Sequence, residues 1–507
     1  MMNKAEIAES LFQEAKDLLD AGQPSEAVKK ARTASDHLNN SGIGLFNLAG
    51  ILFDAGGDTN SLALTMEAIE ILEAIKESIP DQFMGNYHYN IGSGYSEAGK
   101  HEEGIGPGTK PSIAFAISHL DEALQYEPNA EIHSNLARAL LIQGRCIEAF
   151  DEFSIALELD PQNHNALALR GSCLMGLYNW TSGHKGLLIG ALHDKKNALD
   201  LAKSNIPSTK SYTESIENLR KREITPYETS IKKKTPVQQW IWQNRLGLSS
   251  CPICKDESPN AFDMYPLALK INSPDKTPKY EEIVEIMNSL CRSYSTSRWS
   301  LYKANTGSIE EEDQVITLRV SNETQHDIRI GLVMASISGF YSVLGQVAFG
   351  MNSYFKLGHK MKRVNLERIW CQPNSKSNEV PKIKSEIHTE LTKNPSSALS
   401  ALHALTLSID TAKGRYGFLR DLRNRIEHRI VIPSHTVNDS EYYSSVQCSE
   451  LESAAFKLGR IAKAAIWYFG GAIHHNEMTN LQTLKNKGIV QKKYIGNCGT
   501  CLTAHPK

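Results

Sequence analysis

The sequence predicts an all-α protein in which a helical-repeat solenoid precedes a helical bundle with insertions. Three observations carry that expectation: a helix-turn-helix pattern that returns at a fixed step in the first third of the chain, a polar stretch broken by prolines, and several long helical patterns beyond it. A chain of 507 residues exceeds what one hydrophobic core supports, so at least two domains are expected. The boundaries that follow are 1–204 for a partner-binding sensor domain, 205–239 for a linker and 240–507 for a second domain.

The repeat is clearest from Ala130 to Pro161, which reads AEIHSNLARALLIQGRCIEAFDEFSIALELDP. Leu136, Ala137, Leu140, Gly144, Ala149, Phe153, Ala156 and Pro161 occupy the large and small apolar positions of two helices joined by a turn. Small residues at Ala137 and Ala149 let the helices approach, Gly144 suits the turn, and Pro161 ends the second helix. The pattern recurs upstream with Ile91, Gly92, Tyr95 and Gly99, then Ala116, Leu120, Ala123 and Pro128, so that Pro128 and Pro161 stand 33 residues apart. Weaker copies run through Ala15, Gly22, Ala27, Ala31 and Ala34, and through Leu48, Ala49, Leu52 and Gly56. A Gly- and Pro-rich insertion at His101–Pro111 is expected to be a surface loop. This register resembles the tetratricopeptide repeat (TPR), which implies a concave groove for a peptide or protein partner.

Charge divides the chain in the same place. Residues 1–200 carry 14 Lys and Arg against 28 Asp and Glu, and the remainder carries 41 against 29, beneath a net charge of only −2. The acidic half favours a basic partner, and the basic half is the candidate for a polyanion such as nucleic acid. Solvated faces also vary in sign without any partner, so charge alone does not decide. The N-terminal MMNKAEIAESLFQEAK reads as an amphipathic helix and not as a secretory signal, and nine cysteines, an odd number, fit a reducing cytoplasm. The uncharged stretch Ile330–Phe355 passes the length test for a membrane span. Its Ser336, Ser338, Ser342, Gln346, Asn352 and four glycines instead suggest a buried helix and no membrane.

Pro207, Pro226, Pro236 and the run Lys232–Lys234 mark the linker. Beyond it, helices are expected near Tyr280–Ala304, Asp327–Gly358, Ser396–Ile430 and Ser445–His475, the makings of a bundle. The third contains FLRDLRNRIEHRI from Phe418 to Ile430. At about 100° per residue, Leu419, Leu422 and Ile426 form a narrow apolar arc, while Asn424 and His428 share the opposite side and Arg423 lies between. Arg423 with Glu427 and Asp421 with Arg425 could equally be solvated i,i+4 pairs.

These residues resemble the HEPN superfamily of nucleotide-binding and RNA-cleaving bundles, whose motif is Arg, a polar residue and then His after a short gap. Arg423, Asn424 and His428 fit it. Trp240 with Leu246, Tyr294 to Arg298 with Tyr302, Tyr341–Leu357 and Trp370 extend the resemblance to a TPR-linked branch. It implies metal-independent cleavage of RNA by its own 2′-OH, leaving 2′,3′-cyclic phosphate and 5′-OH ends. His428 would then act as general acid or base, Arg423 would neutralise charge on the phosphorane, and Asn424 would orient His428 or the phosphate. It also implies a homodimer through the motif helix, with Arg420, Arg425 and Arg429 lining the RNA path. A toxin or antiviral defence setting is expected. The alternative is a non-catalytic HEPN/TPR scaffold that binds RNA or nucleotide and protein partners.

Two CxxC pairs, Cys251 with Cys254 and Cys498 with Cys501, have the bite for one tetrahedral structural zinc. Separate thiols or a redox pair remain open, because a long sequence distance lies between the pairs. Cys146, Cys173, Cys291, Cys371 and Cys448 read as packing residues. No cofactor is expected for catalysis.

Overall fold

The computed structural model describes residues 3–102, 110–181, 184–202, 206–221, 235–249, 270–271, 279–307, 328–370, 396–410, 414–428, 430–434, 443–486 and 492–493. The chain is helical along almost all of this length. It forms two compact units, Met1–Gln143 with Glu152–Gln162, and Gly144–Asp151 with Asn163–Lys507. Of the linker expected at 205–239, residues 205 and 222–234 lie outside the described residues.

The first unit contains α1 (Lys4–Asp20), α2 (Pro24–His37), α3 (Gly42–Thr59), α4 (Leu62–Ile75), α5 (Met84–His101), α6 (Pro111–Tyr126) and α7 (Ala130–Ile142), followed by α8 (Cys146–Leu159), through which the division into units passes. From α1 to α7 each helix packs on the next in sequence, as a stacked array does. The repeat alanines Ala15, Ala27, Ala31, Ala34, Ala116, Ala123 and Ala137 are wholly buried, which lets neighbouring backbones approach. Helix starts are satisfied locally: Asn3 and Glu6 form a reciprocal capping box, and Asn129 Oδ1 accepts from Ile132 N at 2.9 Å. Gly22, at φ +70°, turns the chain out of α1, a conformation that favours glycine.

The second unit holds α9 (His164–Asn179), α10 (Lys185–Leu201), α11 (Ile206–Arg220) and α12 (Pro236–Gln243), then the bundle helices α13 (Lys279–Thr306), α14 (Ile328–Tyr354), α15 (Ser397–Asp410), α16 (Gly417–His428) and α17 (Cys448–Asn486). α14 is long and apolar enough to cross a membrane, yet Ile330, Val333, Ile337, Phe340, Val347 and Met351 are buried as it packs on α13 and α17, as in a bundle core. Asn352 closes its C-terminal turn by gripping both backbone groups of His359 at 3.0 Å. The segment after α12 is pinned to the bundle: Leu246 O accepts from Tyr294 Oη at 2.9 Å and from an Arg298 guanidinium N–H at 3.1 Å.

The expected third helix, Ser396–Ile430, is divided into α15 and α16. Tyr416 N donates to Ser408 O and Gly417 N to Gly414 O, so the chain turns a corner between them. After α16 the β-branched run Ile430–Ile432 enters a short strand, where Pro433 forbids a helix. That strand, β2 (Ile430–Ser434), pairs in parallel with β3 (Tyr443–Gln447), so the fourth bundle helix begins at Cys448 and not at Ser445. A two-residue pair, β1 (Lys270–Ile271) with β4 (Lys492–Lys493), is antiparallel.

Candidate active site

α16 packs its apolar arc inward as the sequence pattern requires. Leu419 and Leu422 are buried and Ile426 is partly so, while Asn424 is exposed. Arg423 lies at the edge between the two faces. Its Nη1 donates to Asn424 Oδ1 at 3.0 Å, its Nη2 meets Glu427 Oε2 at 2.5 Å, and its guanidinium carbon stands 5.1 Å from the ring centre of Tyr341 on α14. Arg423 Nε is buried and has no hydrogen-bond partner. The guanidinium is therefore fixed by an amide, a carboxylate and an aromatic face.

His428 is the last helical residue, one turn after Asn424, and its side chain lies outside the described residues. Arg420 and Arg425 are half-buried and stand 3.8 Å from Asp421 and 4.0 Å from Glu450 respectively, while Arg429 lies outside the described residues. Cys251, Cys254, Cys498 and Cys501 also lie outside them, as does Cys371. Among the described residues no group of three or more His, Cys, Asp or Glu is placed to hold a metal ion. Cys146 and Cys173 are buried free thiols, and burial pushes the Cys146 thiol up to about 12, as packing residues would show.

Sequence reading missed Tyr341. Burial and then the nearby Glu367 raise its phenol above the ordinary range, against the opposing pull of Arg423 and Arg420. Nothing in the uncharged stretch that carries Tyr341 marks this residue, because only packing brings it to Arg423. Glu427, which read as half of an ordinary surface pair, is the main carboxylate on the motif arginine.

The start of α16 is held by a buried polar cluster that the motif does not reveal. Glu148, on the first turn of α8, receives Arg145 Nε at 2.8 Å and a second bond from Arg145 Nη2. It also receives Tyr416 Oη at 2.7 Å and Tyr468 Oη, from α17, at 3.1 Å. Arg145 Nη1 donates to Ser408 Oγ at 2.8 Å, and the Tyr416 carbonyl accepts from Leu419 N at 3.0 Å at the head of α16. Arg145 is completely buried. Burial acts to raise the Glu148 carboxyl, but Arg145, Arg415 and the Tyr416 hydroxyl outweigh it and hold the group below its usual range. One further turn along α8, Asp151 accepts from the buried Lys463 of α17 at 2.9 Å.

The LA2681-like HEPN family model matches residues 273–476, which include α13 to α16 and most of α17. Residues 273–476 form a HEPN domain. A tetratricopeptide repeat model matches 114–164, from α6 to the end of α8. Solved structures with similarity include the TPR protein TTC0263 of Thermus thermophilus, at 16% identity and TM-score 0.34, covering 41% of this chain and 99% of that one. MamA of Desulfovibrio magneticus follows at 17% identity and TM-score 0.30, with the same coverage. Comparison with curated proteins finds no match. The HEPN domain points to a nuclease role of the RNase kind, and the repeats point to protein interaction.

Proposed function

We propose that the HEPN domain is a metal-independent endoribonuclease built on Arg423, Asn424 and His428. The observation that carries this reading is the direct contact of Arg423 with Asn424 on the outward side of α16, one turn before position 428. A guanidinium held against an aromatic face and a carboxylate is preorganised, so little ordering is lost when its half-exposed end meets a phosphate. One His428 takes the proton of the attacking 2′-OH or gives a proton to the leaving 5′-oxygen, and the two transfers together yield 2′,3′-cyclic phosphate and 5′-OH ends. One histidine per chain serves one side of the phosphodiester, and a second copy of the motif surface supplies the other, so the working form is a homodimer. Arg420, Arg425 and Arg429 attract the backbone, making affinity fall with salt.

The acidic repeat array takes a basic protein or peptide partner and controls cleavage, in a cytoplasmic toxin or antiviral setting. Cys251, Cys254, Cys498 and Cys501 hold a structural zinc apart from the chemistry. The Arg423–Glu427 pair is the one feature that favours the scaffold reading, since it partly neutralises the motif arginine. RNA cleavage by the full chain in excess EDTA separates the two: His428→Ala is expected to slow it by at least about 100-fold. Equal rates for wild type and variant would remove the enzyme reading.

A further inference from the structure

We infer that Glu148 and Tyr416 are positioning residues for the motif helix, so that a carboxylate carried by a repeat helix sets where α16 begins. The inference rests on the ribonuclease reading for its kinetic part and on geometry for the rest. Glu148 belongs to the segment matched as a tetratricopeptide repeat, yet besides its neighbour Arg145 it receives hydroxyls from the HEPN domain, from Tyr416 before α16 and Tyr468 in α17.

The fixed points of the corner between α15 and α16 are the Tyr416 N to Ser408 O bond, the Arg145 bond to Ser408 Oγ, and the Tyr416 hydroxyl on Glu148. These bonds tie both sides of the corner, Ser408 near the end of α15 and Tyr416 at the head of α16, to the same Arg145–Glu148 pair. Tyr416 also lies under two guanidiniums, Arg145 at 5.7 Å and Arg415 at 5.1 Å from its ring centre. Close approach of the α8 start is built in as well. Gly144, at φ +74°, would place a Cβ 2.9 Å from Ser397 O, so no other residue fits without a shift. A buried ion pair is weak evidence for stability, and its use here is to fix geometry. Since Arg423 and Asn424 follow Tyr416 by two turns of a single 12-residue helix, a small rotation at Tyr416 is carried to them.

The test uses the full chain with Tyr416→Phe and, as its control, Tyr468→Phe. Each removes one hydroxyl from the same Glu148 carboxylate, but only Tyr416 leads into α16. The Tyr416→Phe chain is expected to lose about tenfold or more in kcat at unchanged KM, and its α16 amides to exchange hydrogen about tenfold faster while those of α13 and α14 do not. Tyr468→Phe, with a similar drop in melting temperature, is expected to keep its kcat and its α16 protection. Unchanged α16 exchange in Tyr416→Phe, equal acceleration in α13 and α14, or the same kcat loss in both variants would each overturn the inference. If wild type shows no RNA cleavage sensitive to His428→Ala, the ribonuclease reading fails by itself, and the exchange comparison still decides whether Tyr416 positions α16.

Discussion

The two units bury different chemistry. The array from α1 to α7 is filled mainly by alanine and branched aliphatic residues, with Phe12 and Tyr87 among them, and most of its ion pairs, such as Arg32 with Glu67 at 2.9 Å, stand at the surface, the inward exception being His133 with Glu152 at 2.7 Å. The second unit takes charge inside: Arg145, Glu148, Asp151, Asp194, Lys195, Arg298 and Lys463 are all buried. An array is specified by repeating one apolar contact, which any register-keeping sequence supplies. The second unit joins segments far apart in sequence, and its paired buried charges favour one arrangement of them, at a cost in desolvation.

Substitutions can break this contrast. Glu148→Ala leaves Arg145 buried without its carboxylate and two tyrosine hydroxyls without their acceptor, which is expected to cost about 3–5 kcal/mol, read by denaturant titration of the second unit. A fragment of 236–507 lacks Arg145, Glu148 and Asp151 altogether, so it is expected to unfold at lower denaturant than a fragment of 144–507. Acid sharpens the comparison, since each unit holds one buried histidine lowered to about 4, His88 in the first and His403 in the second, chiefly by burial. The unfolded chain takes up these protons near pH 6.5 and the folded chain only near 4, so stability is full above pH 6.5 and drains as pH falls to about 4, more for His403 than for the less enclosed His88. Asparagine at both positions is expected to flatten this slope in thermal melts. In the array, Ala137→Leu overpacks a fully buried position and is expected to cost about 1–3 kcal/mol, with the loss confined to the first unit.

The contrast also explains what was legible beforehand. The repeats could be read because Ala137, Leu140 and Gly144 recur in register, and the motif face because Leu419 and Leu422 set the inward arc of α16. The division of the expected helix into α15 and α16 could not, because the helical pattern runs on from one to the other and Tyr416 is held by Glu148, more than 250 residues away in sequence. Tyr341 was hidden for a similar reason: its role comes from the crossing of α14 by α16, and no local pattern encodes a crossing. Glu427 was visible as a partner of Arg423 but looked like surface decoration until Tyr341 was seen to cover the other side of the guanidinium.

The most direct test of the catalytic account is the chemistry of the ends it leaves on RNA. Fragments made by the wild-type chain in EDTA, and lost with Arg423→Ala or His428→Ala, are predicted to carry 2′,3′-cyclic phosphate and 5′-OH. Fragments ending in 3′-OH and 5′-phosphate would contradict it, because water and not the ribose hydroxyl would then have attacked.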